Sequence, residues 1–236
     1  NICPLSGCPG NYVVLNILIK HFGMRKKSRF IISIIFFIVT GICSLSYGQE
    51  AGSITDPRDG KVYKTVKIGD QVWMGENLAF KTSDGWSVYE DINDYIKTHG
   101  YLYTWTAATK ACPDGWRLPS MQDWWFLSNC LGGDEEAGGK LKQEGTSSWK
   151  NPNTGATNSS GFTALPSGRS GDRAKEYIGT ITYFWTNVDD DDVTSWCGAL
   201  YSSRGDLALI PIEKKNGFSV RCIKNSGKAD KVFDFW

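Results

Sequence analysis

Histidine is almost missing from this chain, which has two, His21 and His99, in 236 residues. A serine–histidine hydrolase would have to rest on one of them, and no Gly-x-Ser-x-Gly elbow is present. No Cys-x-x-Cys spacing occurs either, so the seven cysteines do not read as a zinc site. Carboxylates are common, yet no two are set apart by spacing as a glycosidase pair. Long apolar runs are lacking too. The longest, Phe30 to Val39, covers half of the roughly 20 residues that a spanning helix needs.

That short run lies in a leader. Met24 opens the basic stretch Arg25-Lys26-Lys27-Ser28-Arg29, the apolar run follows, and small residues at Ser46 and Gly48 precede a cut ahead of Gln49. Basic head, apolar middle and small-residue exit predict a secretory signal peptide over residues 24–48, with residues 1–23 an upstream, non-native extension. The competing expectations are a retained anchor and a lipoprotein cut at Cys43, where Ile42 is a poor fit. The leader and extension hold five of the 26 basic residues and none of the 25 acidic ones, leaving 21 against 25, a net charge of −4. That balance argues against a nucleic-acid partner. Localisation is expected to be secreted or at a bacterial cell surface.

All ten tryptophans fall after the leader, with only four cysteines: Cys112, Cys130, Cys197 and Cys222. In an oxidising compartment four cysteines suggest two disulfides, and three pairings are open. Cys112 with Cys222 and Cys130 with Cys197 is the preferred one.

Residues 49–55 read as a polar lead-in, 56–224 as one domain and 225–236 as a tail. Val62 to Ile68 alternates apolar with polar, and Gly69-Asp70 turns it into Gln71-Val72-Trp73-Met74, a hairpin. Leu102 to Ala111 suggests a short helix. Ser120 with Asp123 approximates a capping box for a second, along which Trp124, Leu127 and Leu131 share one side before Gly132-Gly133. Residues 138–172 are mostly Gly, Ser, Asn, Thr and Lys, and long polar loops of this kind are functional or mobile. Short strands are expected at Thr180–Thr186, Cys197–Ser202, Asp206–Pro211 and Gly217–Ile223. The fold class is α+β.

Five blocks carry a family resemblance: Asp56 to Gly69, Gln71 to Leu78, Gly100 to Trp105, Cys112 to Ser120, and Gly217 to Cys222. In this order they resemble the Fibrobacter-type major paralogous domain (FISUMP) of secreted and surface proteins, over about Ile54 to Lys224. The family has no firmly assigned activity. More distantly, Trp116-Arg117-Leu118-Pro119-Ser120 with Asp123-Trp124, and Gly217 to Arg221, resemble formylglycine-generating enzymes and their C-type-lectin-like relatives. That implies a C-type-lectin-like fold: a small twisted antiparallel sheet, two helices and a large irregular loop region.

The resemblance does not extend to catalysis. The copper-holding enzymes keep two nearby cysteines in a short C-terminal motif, whereas Cys197 and Cys222 are far apart. The chain is therefore read as a non-enzyme. The acidic run Asp189, Asp190, Asp191 and Asp192 offers oxygen ligands suited to calcium, the one cofactor to weigh, against its plainer use as a solvated turn. The lectin tripeptides and the EF-hand alternation are absent. Trp86, Trp149, Trp185, Trp196 and Tyr201 lie in or beside loops, where an exposed ring can stack on a sugar. Trp185, Trp196, Tyr201 and Arg204 form the candidate ligand set, although tryptophan is usually buried. Arg117 and Arg221 read as structural forks. The expected function is a non-catalytic binding module for polysaccharide or another surface ligand. The alternative is a structural or adhesive protein with a protein partner or itself, using the aromatic tail Phe233-Asp234-Phe235-Trp236.

Overall fold

The computed structural model describes residues 51–88, 93–171 and 177–225. The chain divides into two units, Asn1–Gln49 and Glu50–Trp236, and every described residue belongs to the second. The expectations for residues 1–23 and 24–48, and for the tail beyond Asn225, lie outside the described residues. Among the described residues no helix is long and apolar enough to cross a membrane.

Among the described residues, ten strands and four helices make an α+β domain. Strand β1 (Ala51–Thr55) pairs antiparallel with β2 (Val62–Ile68), so the stretch read as a polar lead-in is an edge strand. Its polar residues misled because an edge strand has little to bury. The β2–β3 hairpin forms, with β3 at Gln71–Met74; Val66 and Ile68 alternate onto one buried face, and Tyr63 is buried on the other, in a separate cluster. Gly69 takes φ 59° at the first turn position, where a side chain would be strained.

The hairpin belongs to a five-stranded sheet that also holds the end of the domain. Two short pieces, β4 (Trp86–Ser87) and β5 (Leu102–Tyr103), pair with each other, with helix α1 (Asn93–His99) between them in sequence. After helix α2 (Trp105–Ala108) comes β6 (Trp116–Arg117). The last strand, β10 (Ile223–Lys224), inserts between β3 and β6, giving the order β1-β2-β3-β10-β6. The predicted helix at Leu102–Ala111 is thus a strand followed by a single helical turn.

Helix α3 (Met121–Cys130) starts where its cap predicts. Asp123 N–H donates to Ser120 Oγ at 3.2 Å, and Ser120 N–H donates to Asp123 Oδ2 at 2.6 Å. Trp124 and Leu127 face inward, and the Trp124 ring lies 5.0 Å from Trp73, 5.9 Å from Phe162 and 5.8 Å from Phe184. Helix α4 (Asp134–Leu141) was hidden by its paired glycines, which read as loop. Those glycines are needed for close approach: a Cβ on Gly138 would stand 2.0 Å from the Asp206 carbonyl oxygen, and one on Gly139 would stand 2.2 Å from that of Gly155.

A three-stranded sheet of β7 (Ile181–Asp189), β8 (Thr194–Tyr201) and β9 (Ala208–Glu213) lies in the middle of the packing. Successive rungs point to opposite faces. Trp185, Cys197 and Ile210 share one rung on the face toward Tyr103, Phe218 and Val220. The neighbouring rung, Phe184, Gly198 and Leu209, faces Trp73, Trp124 and Phe162. Burial on both faces explains the nearly continuous buried run from Thr182 to Thr186.

The structure pairs Cys112 with Cys222, 110 residues apart. The second expected pair does not form. Cys197 is a free thiol on the middle strand, buried between Trp185 and Ile210, and burial pushes its ionisation up. Cys130, at the end of α3, is disulfide-bonded, but not to Cys197.

His99 ends α1 with its ring stacked on Tyr95, 4.0 Å between centroids, and its Nδ1 buried without a hydrogen-bond partner. Burial pushes its pKa down to about 4, below the ordinary 6.5. The neutral ring is the one that folds, so its contribution is present above pH 6.5 and is lost as pH falls toward 4. Urea midpoints measured across that window are expected to fall in the parent and to fall less in His99→Phe. Equal slopes would remove His99 as the cause.

Candidate functional site: a tyrosine and arginine rim

The four residues read as a ligand set do not all come together in the structure. Trp185 is fully buried, its indole N–H donating to the Tyr103 carbonyl at 2.7 Å and its ring 4.4 Å from Phe218. It is core, because its strand is covered on both faces. Trp149 is also fully buried, donating to the Ala164 carbonyl at 2.8 Å. Trp196 is partly exposed, but alternation along β8 turns it to the face opposite Cys197 and Tyr201. Five residues of strand, roughly 16 Å, also divide it from Tyr201. Trp86 is half-buried, between Tyr101 at 5.2 Å and Lys81, whose ammonium lies 4.2 Å from its ring.

Tyr201 and Arg204 do meet. The guanidinium lies over the Tyr201 ring, 4.9 Å from its centroid, and its Nε donates to Asp206 Oδ1 at 2.8 Å while Nη2 bonds Asp206 Oδ2. The pair sits at the end of β8 and in the turn that follows. Across the ladder Tyr201 faces Ile181, and Ser202 N–H donates to the Thr180 carbonyl at 2.7 Å.

Three residues that the sequence reading passed over complete the rim. Gly168 bridges Thr182 on the other side of β7, which sets Arg169 beside Tyr183. The Arg169 guanidinium lies 5.2 Å from the Tyr177 ring. Tyr183 stacks on Phe218 at 4.6 Å, and Tyr201, Arg169 and Tyr177 are all close enough to bear on its phenol, whose ionisation burial raises. Tyr177 is exposed and holds φ 70°, an uncommon conformation for a bulky residue, stabilised by Thr180 and Ile181 N–H groups that donate to its carbonyl. Two arginine-on-tyrosine pairs therefore flank a third tyrosine at one end of the central sheet. Alternation could have found Tyr183; the backbone of Tyr177 left no sequence signal.

The acidic turn does not converge. Asp189 ion-pairs with Lys214, Asp190 Oδ2 accepts from Thr194 Oγ1 at 2.8 Å, and Asp191 Oδ1 accepts from Val193 N–H at 2.8 Å and Thr194 N–H at 2.6 Å. Those N–H groups hold the Asp191 carboxyl below its usual range. Asp192 is exposed. Among the described residues no three His, Cys, Asp or Glu side chains gather as a metal site. Lys214 also covers Trp105, 4.8 Å from its ring, so this turn is fastened to the scaffold.

Two cations are instead consumed inside. Arg221 is 1 % exposed, donating to Asn77 Oδ1 at 2.7 Å and to the Met74, Phe162 and Thr163 carbonyls at 3.1, 2.5 and 3.1 Å. Burial pushes its pKa down to about 9, which leaves it charged at neutral pH. Lys142, 0 % exposed, is the other. The structural reading of Arg221 and of Arg117, which bonds Asp123 Oδ1 at 3.0 Å, holds.

A disulfide-closed α+β scaffold with a polar aromatic rim is thus the kind of protein that the fold and this site define. The Fibrobacter succinogenes major domain family matches residues 66–224, and the chain belongs to that family. No curated protein and no solved structure matches it.

Proposed function

We propose that the domain is a non-catalytic binding module, exported and held at or released from a bacterial surface, that takes polysaccharide at the rim formed by Tyr177, Tyr201, Arg169 and Arg204 above the buried Tyr183. The observation that carries this is the pair of guanidinium-covered tyrosines either side of Tyr183. Aromatic faces suit the apolar side of a sugar ring, and arginine forks and phenols suit its hydroxyls. The finer fold reading, C-type-lectin-like, belongs to the same proposal. It is supported by the small antiparallel sheets, the helix pair α3–α4 and the long irregular stretch over residues 142–171.

The test is a panel of soluble glycans and insoluble polysaccharides, run on the oxidised protein with calcium and with chelator. Binding to a subset is expected, with the affinity lowered about tenfold or more by Tyr201→Ala and by Arg169→Ala, as for a central contact. Trp196→Ala, on the opposite face, should bind as the parent does. Loss in chelator would restore a calcium role for the acidic turn. Clean silence on a folded sample would favour the adhesive reading with a protein partner.

A further inference from the structure

Lys142 caps the C-terminus of α4, and its backbone is fixed by its own N–H to the Gly138 carbonyl at 3.1 Å and by a bridge to Ala164. Its side chain runs inward. The ammonium donates to the Thr154 carbonyl at 2.9 Å, the Tyr201 carbonyl at 2.8 Å and the Arg204 carbonyl at 2.7 Å. Those three acceptors match the three N–H bonds of an ammonium one for one. The Trp149 ring lies 5.4 Å from Nζ, and Asp206 is the carboxylate that bears on it through space, itself already bonded to Arg204.

The segments that supply these carbonyls are also tied by backbone bonds, two to the helix and one to each other. Gly139 N–H donates to the Gly205 carbonyl at 2.7 Å, Leu207 N–H to Asp134 at 2.9 Å, and Thr154 N–H to Ser202 at 2.8 Å. Carbonyl oxygens brought this close repel one another unless a cation sits between them. We propose that the Thr154, Tyr201 and Arg204 carbonyls form a seat for a monovalent ammonium-type cation, which Lys142 fills from within the chain. Filling it sets the backbone that presents Tyr201 and Arg204. The inference stands apart from the polysaccharide reading, since it concerns the seat and not what the rim binds.

Lys142→Ala removes a propylammonium-sized fragment and leaves the seat empty. At neutral pH its urea midpoint should lie below the parent's. Propylammonium chloride should then raise that midpoint in a saturating manner, relative to tetramethylammonium chloride, which has no N–H, and to propanol, which has no charge. The parent should not distinguish the three. Equal effects of propylammonium and tetramethylammonium on a folded Lys142→Ala protein would overturn the proposal. Should Lys142→Ala not fold, Lys142→Met keeps the volume and decides. Backbone hydrogen exchange across residues 201–206 is then expected to quicken by about tenfold or more while the β2–β3 hairpin keeps its protection. A Lys142→Met protein with the parent's urea midpoint and the parent's exchange at 201–206 would show that no cation seat is needed.

Discussion

Arg221→Met is expected to lower the stability of the domain by about 3–5 kcal/mol, a large part of the 5–15 kcal/mol that ordinary domains possess. Met keeps much of the side-chain volume, so the loss reports the interactions and not a cavity. Among the described residues no carboxylate hydrogen-bonds Arg221; Glu76 acts on it only through space. Its four acceptors are three backbone carbonyls and the Asn77 amide oxygen, and the carbonyls remain when the guanidinium is removed. Replacing a buried ion pair with apolar side chains can be neutral because both charges leave together. Here the polar groups that stay behind are buried and unsatisfied, each costing about 1–3 kcal/mol. The ring faces of Phe162, 4.4 Å from the guanidinium carbon, and Phe184, at 5.7 Å, would lose a cation as well. Arg221→Lys should recover little, since an ammonium cannot reach four acceptors that a planar fork reaches. Urea midpoints of the three proteins decide this, and a loss under about 1 kcal/mol in Arg221→Met would refute the role given to the carbonyl set.

Removing the Cys112–Cys222 bond by paired alanine substitution is expected to cost about 2–5 kcal/mol. The bond closes 110 residues, and a loop of that length corresponds to nearly 5 kcal/mol in the chain-entropy account, or about 4.7 for a loop of roughly 100 residues. It also fixes the approach to β10, because Met74 N–H donates to the Cys222 carbonyl at 3.0 Å and Ile223 then pairs with Trp73. The substitution is preferable to a reductant, which would act on Cys130 too. Thermal unfolding in a domain of this size moves about 2–4 °C per kcal/mol, so a drop near 10 °C is expected. An unchanged midpoint would mean that packing around Phe218 and Val220 closes the domain without the bond.

Local signals were legible in the sequence because their causes are local. Ser120 and Asp123 satisfy each other three residues apart, and Gly69 turns a hairpin whose alternation is visible on either side. The Cys112–Cys222 pair was also read correctly. What stayed hidden depends on distant partners. A lysine is ordinarily solvated, and nothing near Lys142 announces acceptors 12, 59 and 62 positions away. Trp185 lies beside a turn in sequence, yet both faces of its strand are covered by segments from elsewhere. Cys197 was paired by counting, and its place in the middle of a sheet left no neighbour to bond. Tyr201 and Arg204 come together for a local reason: they adjoin one turn, three residues apart.

The position of β10 has a bearing on when this chain can fold. The strand that completes the five-stranded sheet, the guanidinium that satisfies the carbonyls of Met74, Phe162 and Thr163, and the cysteine that reaches back to Cys112 all lie between residues 221 and 224. Synthesis from the amino end delivers them last. Until then β3 has an open edge and the interior has an unfilled place, so the five-stranded sheet is not complete. One short segment therefore completes the sheet, the carbonyl set and the covalent closure together.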